Sequence, residues 1–154
     1  VGDLLKAYGK TLSTAESCTG GMISSLITSV PGSSEYFLGS VTSYANGVKE
    51  NVLGVPAEII AEHGAVSSEC VAAMAEGVRR ITSSDYSVAT SGIAGPGGGS
   101  EEKPVGTVWI GVSSDNGTET FRLKFNSDRK RNIERFSSSA LHILLNKIKK
   151  ELNN

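Results

Sequence analysis

Apolar and polar positions along this chain follow two periods, one near four residues and one of two. Met22, Ile23, Leu26, Ile27 and Val30 recur at helical spacing until Pro31-Gly32 stops the run. Ser67-Ser68-Glu69 opens a longer helix to about Ile81, with an apolar stripe of Val71, Met74, Ala75, Val78 and Ile81. Asp128 opens the last helix, which sets Ile133, Phe136, Ala140, Leu141, Leu144 and Ile148 on one face. Shorter helical runs are predicted over 4–8, 46–53 and 56–63, the last with Pro56 suited to a first turn. Strands are predicted over 11–15, 36–44, 85–91, 107–112 and 118–125. The second carries apolar groups on both faces, as a buried strand does. The fifth alternates, with Phe121, Leu123 and Phe125 inward and Arg122 and Lys124 outward, after the hairpin turn Asp115-Asn116-Gly117.

Strands alternating with helices imply a three-layer α/β/α sandwich with a mixed, mostly parallel five-stranded sheet. The first three strands are joined by helices and should be parallel. The fourth runs back, and the hairpin sends the fifth forward again. Ser17 then lies past the end of strand one. Tyr44 and Lys49 lie at and past the end of strand two, Ser91 closes strand three, and Arg129 follows strand five. All fall at one sheet edge, the edge where open α/β folds bind ligands. A parallel fourth strand would scatter them over two edges.

The totals narrow the classes. The 154 residues fit one domain, 1–154, and 38% hydrophobic with 20% charged residues fits a folded globule. The abrupt start at Val1 leaves room for an upstream portion. A formal net charge of −1 argues against a general nucleic-acid binder. No apolar run reaches membrane-spanning length and no signal peptide is visible, so no membrane partner is expected. Cys18 and Cys70 make no C-x-x-C or zinc spacing, which fits reduced thiols in a cytoplasmic protein. No Asp/Glu/His set has metal-ligand spacing, so neither a metal nor another cofactor is expected.

Three stretches carry candidate chemistry. The run Thr14-Ala15-Glu16-Ser17-Cys18-Thr19-Gly20-Gly21 is a strand-to-helix turn. Ser17 and Thr19 can cap the new helix, whose free N–H groups make an anion site; the bland reading is an ordinary cap with glycine packing. A serine attacks only when a base takes its proton. Neither His63 nor His142 stands in a triad-like context. Lys49 can serve if burial lowers its pKa, or it can be a solvated lysine beside Glu50. Cys18 is a rival nucleophile at the helix start, or a small buried apolar group. Cys70 reads as core filling.

The second stretch runs from Ser91 to Ser100 and is rich in glycine. Its N–H groups can line an anion pocket, although it is neither a Walker A loop nor a dinucleotide fingerprint. A flexible surface loop is the alternative, with Glu101, Glu102 and Lys103 as its solvated tip. In the third, Asp128-Arg129-Lys130-Arg131, Arg129 can grip a phosphate or carboxylate, or join a surface charge cluster with Glu134. Tyr44 can donate a hydrogen bond into the cleft or pack at its strand end.

The segments Ala15-Glu16-Ser17-Cys18-Thr19-Gly20-Gly21, Pro31-Gly32-Ser33-Ser34, His63-Gly64-Ala65-Val66-Ser67 and Ser91-Gly92-Ile93-Ala94-Gly95-Pro96 resemble the CinA C-terminal family. So does the segment from Gly98 to Val108, and the likeness covers nearly the whole chain. Members are nicotinamide-nucleotide amidohydrolases, some standing alone and some forming the C-terminal part of CinA behind a molybdopterin-binding-like domain. The resemblance implies deamidation of nicotinamide mononucleotide to nicotinate mononucleotide and ammonia by a Ser17–Lys49 dyad, with Tyr44 in support. It implies substrate contacts from Thr19, Gly20, Ser91, Gly92, Gly95 and Arg129, and a homo-oligomer. Where many relatives carry a second arginine after Asp128-Arg129, this chain has Ile133, flanked by Arg131 and Arg135. Ser91 stands where some relatives carry threonine. The rival expectation is a non-catalytic nucleotide-binding or regulatory module of a larger CinA-like protein.

Overall fold

A computed structural model describes residues 1–153; Asn154, the last residue of the expected domain, lies outside the described residues. Strands β1 (Leu12–Glu16), β2 (Phe37–Thr42), β3 (Tyr86–Gly92), β4 (Thr107–Ser114) and β5 (Gly117–Lys124) form one sheet in the order β2-β1-β3-β4-β5. β1 pairs in parallel with β2 and β3, whereas β4 is antiparallel to β3 and β5. The helices are α1 (Gly2–Tyr8), α2 (Met22–Thr28), α3 (Asn46–Asn51), α4 (Ala57–His63), α5 (Ser68–Thr82) and α6 (Arg129–Leu152).

Alternation along the strands makes two different faces. Leu12, Val88, Val108, Ile110 and Val112 pack with Leu5, Ile23, Phe136, Ala140, Leu144 and Ile148 of α1, α2 and α6. Each such fully buried large apolar side chain contributes roughly 1.5–3 kcal/mol. The other face is built from small residues. Ala15 and Ala89 meet Val71, Met74, Ala75 and Val78 of α5. A Cβ on Gly111 would stand 2.8 Å from the Val71 carbonyl oxygen, so a small face is what lets α5 lie close. The buried Ser87 hydroxyl is satisfied there by donating to the Ala75 carbonyl at 2.6 Å.

Leu26 and Val30 are exposed, and Val30 lies beyond the end of α2, so the predicted apolar run is not wholly buried. Three further pattern-based expectations need correction. β2 is an edge strand with alternating exposure, and Leu38 is exposed, so it is not buried on both faces. Phe121 lies on the other edge strand and is exposed, while Leu123 and Phe125 pack against the core as expected. Ile81, in the last turn of α5, is exposed although it continues the helical stripe.

The reversed β4 has a direct consequence for the site. The C-terminal ends of β1, β2, β3 and β5 all reach the same edge. Glu16 is in register with Thr42 and with Thr90, so Ser43 and Ser17, just past their strands, stand beside Ser91 near the end of β3. Among the described residues no helix is long and apolar enough to cross a membrane.

Candidate active site

A cavity of about 270 Å³ opens at this edge, lined by Ser17, Cys18, Tyr44, Lys49, Ser91 and Arg129 with Gly92 and Gly95. The strand-to-helix turn places Ser17. Its N–H donates to the Thr90 carbonyl at 3.1 Å, and its own carbonyl accepts from the Gly20 N–H at 3.1 Å. Among the described residues the N–H groups of Cys18 and Thr19 meet no backbone acceptor, and that of Cys18 is directed to its own thiol.

Glu16 was not singled out by the sequence pattern, yet it organises this turn. Fully buried at the end of β1, it accepts from the N–H groups of Ile23 at 2.8 Å and Ser24 at 2.9 Å. The Thr19 hydroxyl donates to the same carboxylate at 2.7 Å and shares a 2.9 Å hydrogen bond with the Thr90 hydroxyl. The first N–H groups of α2 are therefore satisfied by a carboxylate from the preceding strand. This corrects the expectation that Ser17 and Thr19 cap α2 and that its N-terminus is a free anion site. Thr19, held by Glu16 and Thr90, and Gly20 both lie outside the cavity lining. Ser17 keeps its hydroxyl for other work. The only sign in the sequence was an acidic residue closing an otherwise buried strand.

Lys49 stands in the last turn of α3 and is 1% exposed. Its Nζ donates to the Ser43 carbonyl at 2.8 Å and the Tyr44 carbonyl at 3.1 Å. Burial holds its pKa below the ordinary 10.5, and the thiols of Cys70 and Cys18 oppose that shift more weakly. A neutral amine has two N–H bonds and one lone pair. Two carbonyls occupy the N–H bonds, which leaves the lone pair to accept a proton. The same burial pushes the Cys18 thiol up to about 12 and the Cys70 thiol up to about 11, so neither is a thiolate at neutral pH.

Arg129 follows Asp128, whose carboxylate accepts from the Arg131 N–H at 2.9 Å and starts α6. The Arg129 guanidinium donates to the Gly95 carbonyl at 2.7 Å and to the Tyr44 hydroxyl oxygen at 3.1 Å. It thus ties the glycine loop to the end of β2. Arg131 pairs with Asp128 at 3.9 Å, and Arg135 lies 5.9 Å over the Phe125 ring. Among the described residues Arg129 is the one arginine of this segment that lines the cavity.

Gly95 adopts φ +91°, and a Cβ there would meet Val105 Cγ1 at 2.5 Å. The loop tip is not simply solvated. The Lys103 ammonium donates to the His63 carbonyl at 2.5 Å, and Arg122 donates to the Glu102 carbonyl at 3.2 Å, while Glu101 and Glu102 stay exposed. A larger hollow of about 540 Å³ shares Val66 with the cavity and contains His63, Glu69, Lys103 and Trp109. Its serines, Ser67 and Ser68, donate to the Gly64 carbonyl and to Glu69. It holds no serine together with a buried lysine whose pKa is lowered by burial, a combination that only the smaller cavity offers among the described residues. His63 lies between Glu62 at 3.5 Å and Glu69 at 3.6 Å, and His142 is exposed on α6; neither lines the smaller cavity.

Fold and site together describe a class: an α/β/α sandwich with a serine on a strand-to-helix turn and a buried lysine in one cavity. A family model described as the CinA C-terminal domain matches residues 1–148, and the chain belongs to that family. It is 51% identical over 142 residues to a CinA-like protein of Pseudothermotoga lettingae, covering 92% of this chain and 35% of the relative. It is 50% identical over 149 residues to a CinA-like protein of Desulfosudis oleivorans, covering 96% of this chain and 36% of the relative. The chain spans about a third of the length of these curated relatives. Its fold is similar to the crystal structure of competence damage-inducible protein A (ComA) from Klebsiella pneumoniae, with a TM-score of 0.92 and 36% identity over 95% of this chain and 91% of that one. The competence/damage inducible protein CihA from Agrobacterium tumefaciens gives a TM-score of 0.89 and 36% identity over 92% of this chain and 87% of that one.

Proposed function

We propose that this domain hydrolyses the carboxamide of nicotinamide mononucleotide to nicotinate mononucleotide and ammonia. The observation that carries this reading is Lys49: a buried amine with both N–H bonds on carbonyls, in the same small cavity as Ser17. In the scheme, Lys49 takes the Ser17 proton as the serine oxygen bonds to the carboxamide carbon. The N–H group of Cys18, which borders the cavity, receives the oxyanion. Lys49 then passes the proton to the amide nitrogen, the C–N bond breaks and ammonia leaves. Water attacks the resulting ester, Lys49 takes its proton, and Ser17 recovers that proton as the acid departs.

The glycine loop and the unused N–H groups of Arg129 hold the phosphate. Tyr44 accepts from Arg129 through its oxygen, so its own proton is available to the substrate. Cys18 is set aside as nucleophile because its thiol titrates near 12.

The test is ammonia release from nicotinamide mononucleotide, the matching riboside without phosphate, and free nicotinamide. The mononucleotide should be turned over, with kcat/KM for the riboside lower by roughly tenfold or more. Binding of the mononucleotide by the folded protein without ammonia release would replace this reading with that of a binding module.

A further inference from the structure

One buried polar side chain at this edge has no part in the scheme above. Asn132 lies in the first turn of α6, three residues beyond Arg129, and is 0% exposed. Its Nδ2 donates to the Ala94 carbonyl at 2.9 Å and to the Ser127 carbonyl at 3.0 Å. Its Oδ1 accepts from the Ser127 N–H at 3.2 Å. Arg129 donates to the very next loop carbonyl, Gly95, at 2.7 Å. One helical turn therefore grips two successive carbonyls of the glycine loop. The two grips differ in kind. Arg129 is exposed and lines the cavity, so its bond to Gly95 competes with water and ligand. Asn132 is outside the cavity lining, and its bond to the Ala94 carbonyl is made away from solvent.

We infer that Asn132 is a positioning residue for the phosphate end of the site: it locks the loop at Ala94 to the first turn of α6. It thereby sets where Arg129 and the N–H groups of Gly95, Gly97 and Gly98 stand relative to each other. This rests on the reading of the cavity given above. Truncating Asn132 leaves the Ala94 and Ser127 carbonyls and the Ser127 N–H without a buried partner. The buried Ala94 carbonyl regains a partner only if the loop and the start of α6 move apart to admit water. An error of placement at a binding group acts on substrate capture, whereas the Ser17–Lys49 pair, carried by β1 and α3, is untouched.

The experiment compares the parent with Asn132→Ala and Asn132→Ser, reading backbone hydrogen exchange at Ile93 and Gly106 and the steady-state constants for nicotinamide mononucleotide. In Asn132→Ala, exchange at the Ile93 and Gly106 amides, which are hydrogen-bonded at the base of the loop, accelerates while the central strands keep their protection. KM rises roughly tenfold or more while kcat stays within about threefold. Asn132→Ser, which keeps one donor, gives a smaller change in both. Ser137→Ala, which removes a buried hydroxyl donating to the Ile133 carbonyl on the same helix, serves as the control for mere destabilisation and leaves KM unchanged. Parental exchange at Ile93 and Gly106 overturns the inference, and so does faster exchange with unchanged KM. If Asn132→Ala does not fold, Asn132→Ser decides by the same outcomes. If the parent releases no ammonia, the amidase reading fails. Affinity for inorganic phosphate then stands in for KM, and the loop assignment is decided separately.

Discussion

Lys49 is the residue whose environment most constrains the chemistry. Burial disfavours its charged form, so its folded pKa lies below 10.5. In the proposed scheme the base form is the active form, so kcat/KM should rise with pH through that lowered value, and a profile with no inflection below 10.5 would contradict the assignment. Stability follows the same group. Between the folded pKa and 10.5 the unfolded chain binds more protons at Lys49 than the folded one, so stability rises with pH across that window. Urea midpoints of the parent and Lys49→Met should show the parent gaining on the variant as pH climbs toward 10.5; parallel curves would contradict this. Cys18→Ala should keep most of its turnover, whereas loss of ammonia release in a folded Cys18→Ala protein would return the thiol to the mechanism. Ser17, Lys49, Tyr44, Ser91 and Arg129 could be gathered from the sequence because each sits at the end of a strand or just beyond it. Glu16 and Asn132 could not. Their partners are N–H groups seven and eight residues away and carbonyls of another segment, which no local spacing reveals.

At the scale of elements, the helices that matter are set by contacts from outside themselves. α2 has no side-chain cap of its own and depends on Glu16. Glu16→Ala leaves the Ile23 and Ser24 N–H groups unsatisfied and should cost about 2–4 kcal/mol by denaturant unfolding. Glu16→Gln keeps an acceptor and should cost less; equal losses would mean that the carboxylate merely fills space. α5 carries Gly77 where a Cβ would stand 2.0 Å from the Leu53 carbonyl oxygen. Gly77→Ala should therefore destabilise by roughly 1–3 kcal/mol, against its gain in helix propensity, and a more stable variant would refute the close packing. The strand patterns misled at the sheet edges for a related reason. β2 and Phe121 look core-like by composition, but burial at an edge depends on how far the neighbouring helices reach, and periodicity is silent on that.

For the molecule as a whole, one reversed strand brings the candidate site together. Alternating periods made the three-layer sandwich legible, and the Asp115-Asn116-Gly117 turn fixed the direction of β5 relative to β4. Strand order and register came only with tertiary packing, because small residues on the α5 face carry no strong pattern. If the converged edge is a nucleotide site, ligand at a hundredfold excess over Kd stabilises the fold by about 2.7 kcal/mol. That corresponds to a rise in Tm of roughly 5–10 °C for nicotinamide mononucleotide with Ser17→Ala, and no rise would argue against binding at this edge. The most direct test is ammonia release from the mononucleotide by three folded proteins side by side: the parent, Ser17→Ala and Lys49→Met. The account predicts turnover by the parent and near-complete loss in both variants. Release by either variant at the parental rate would contradict a buried neutral lysine activating the serine.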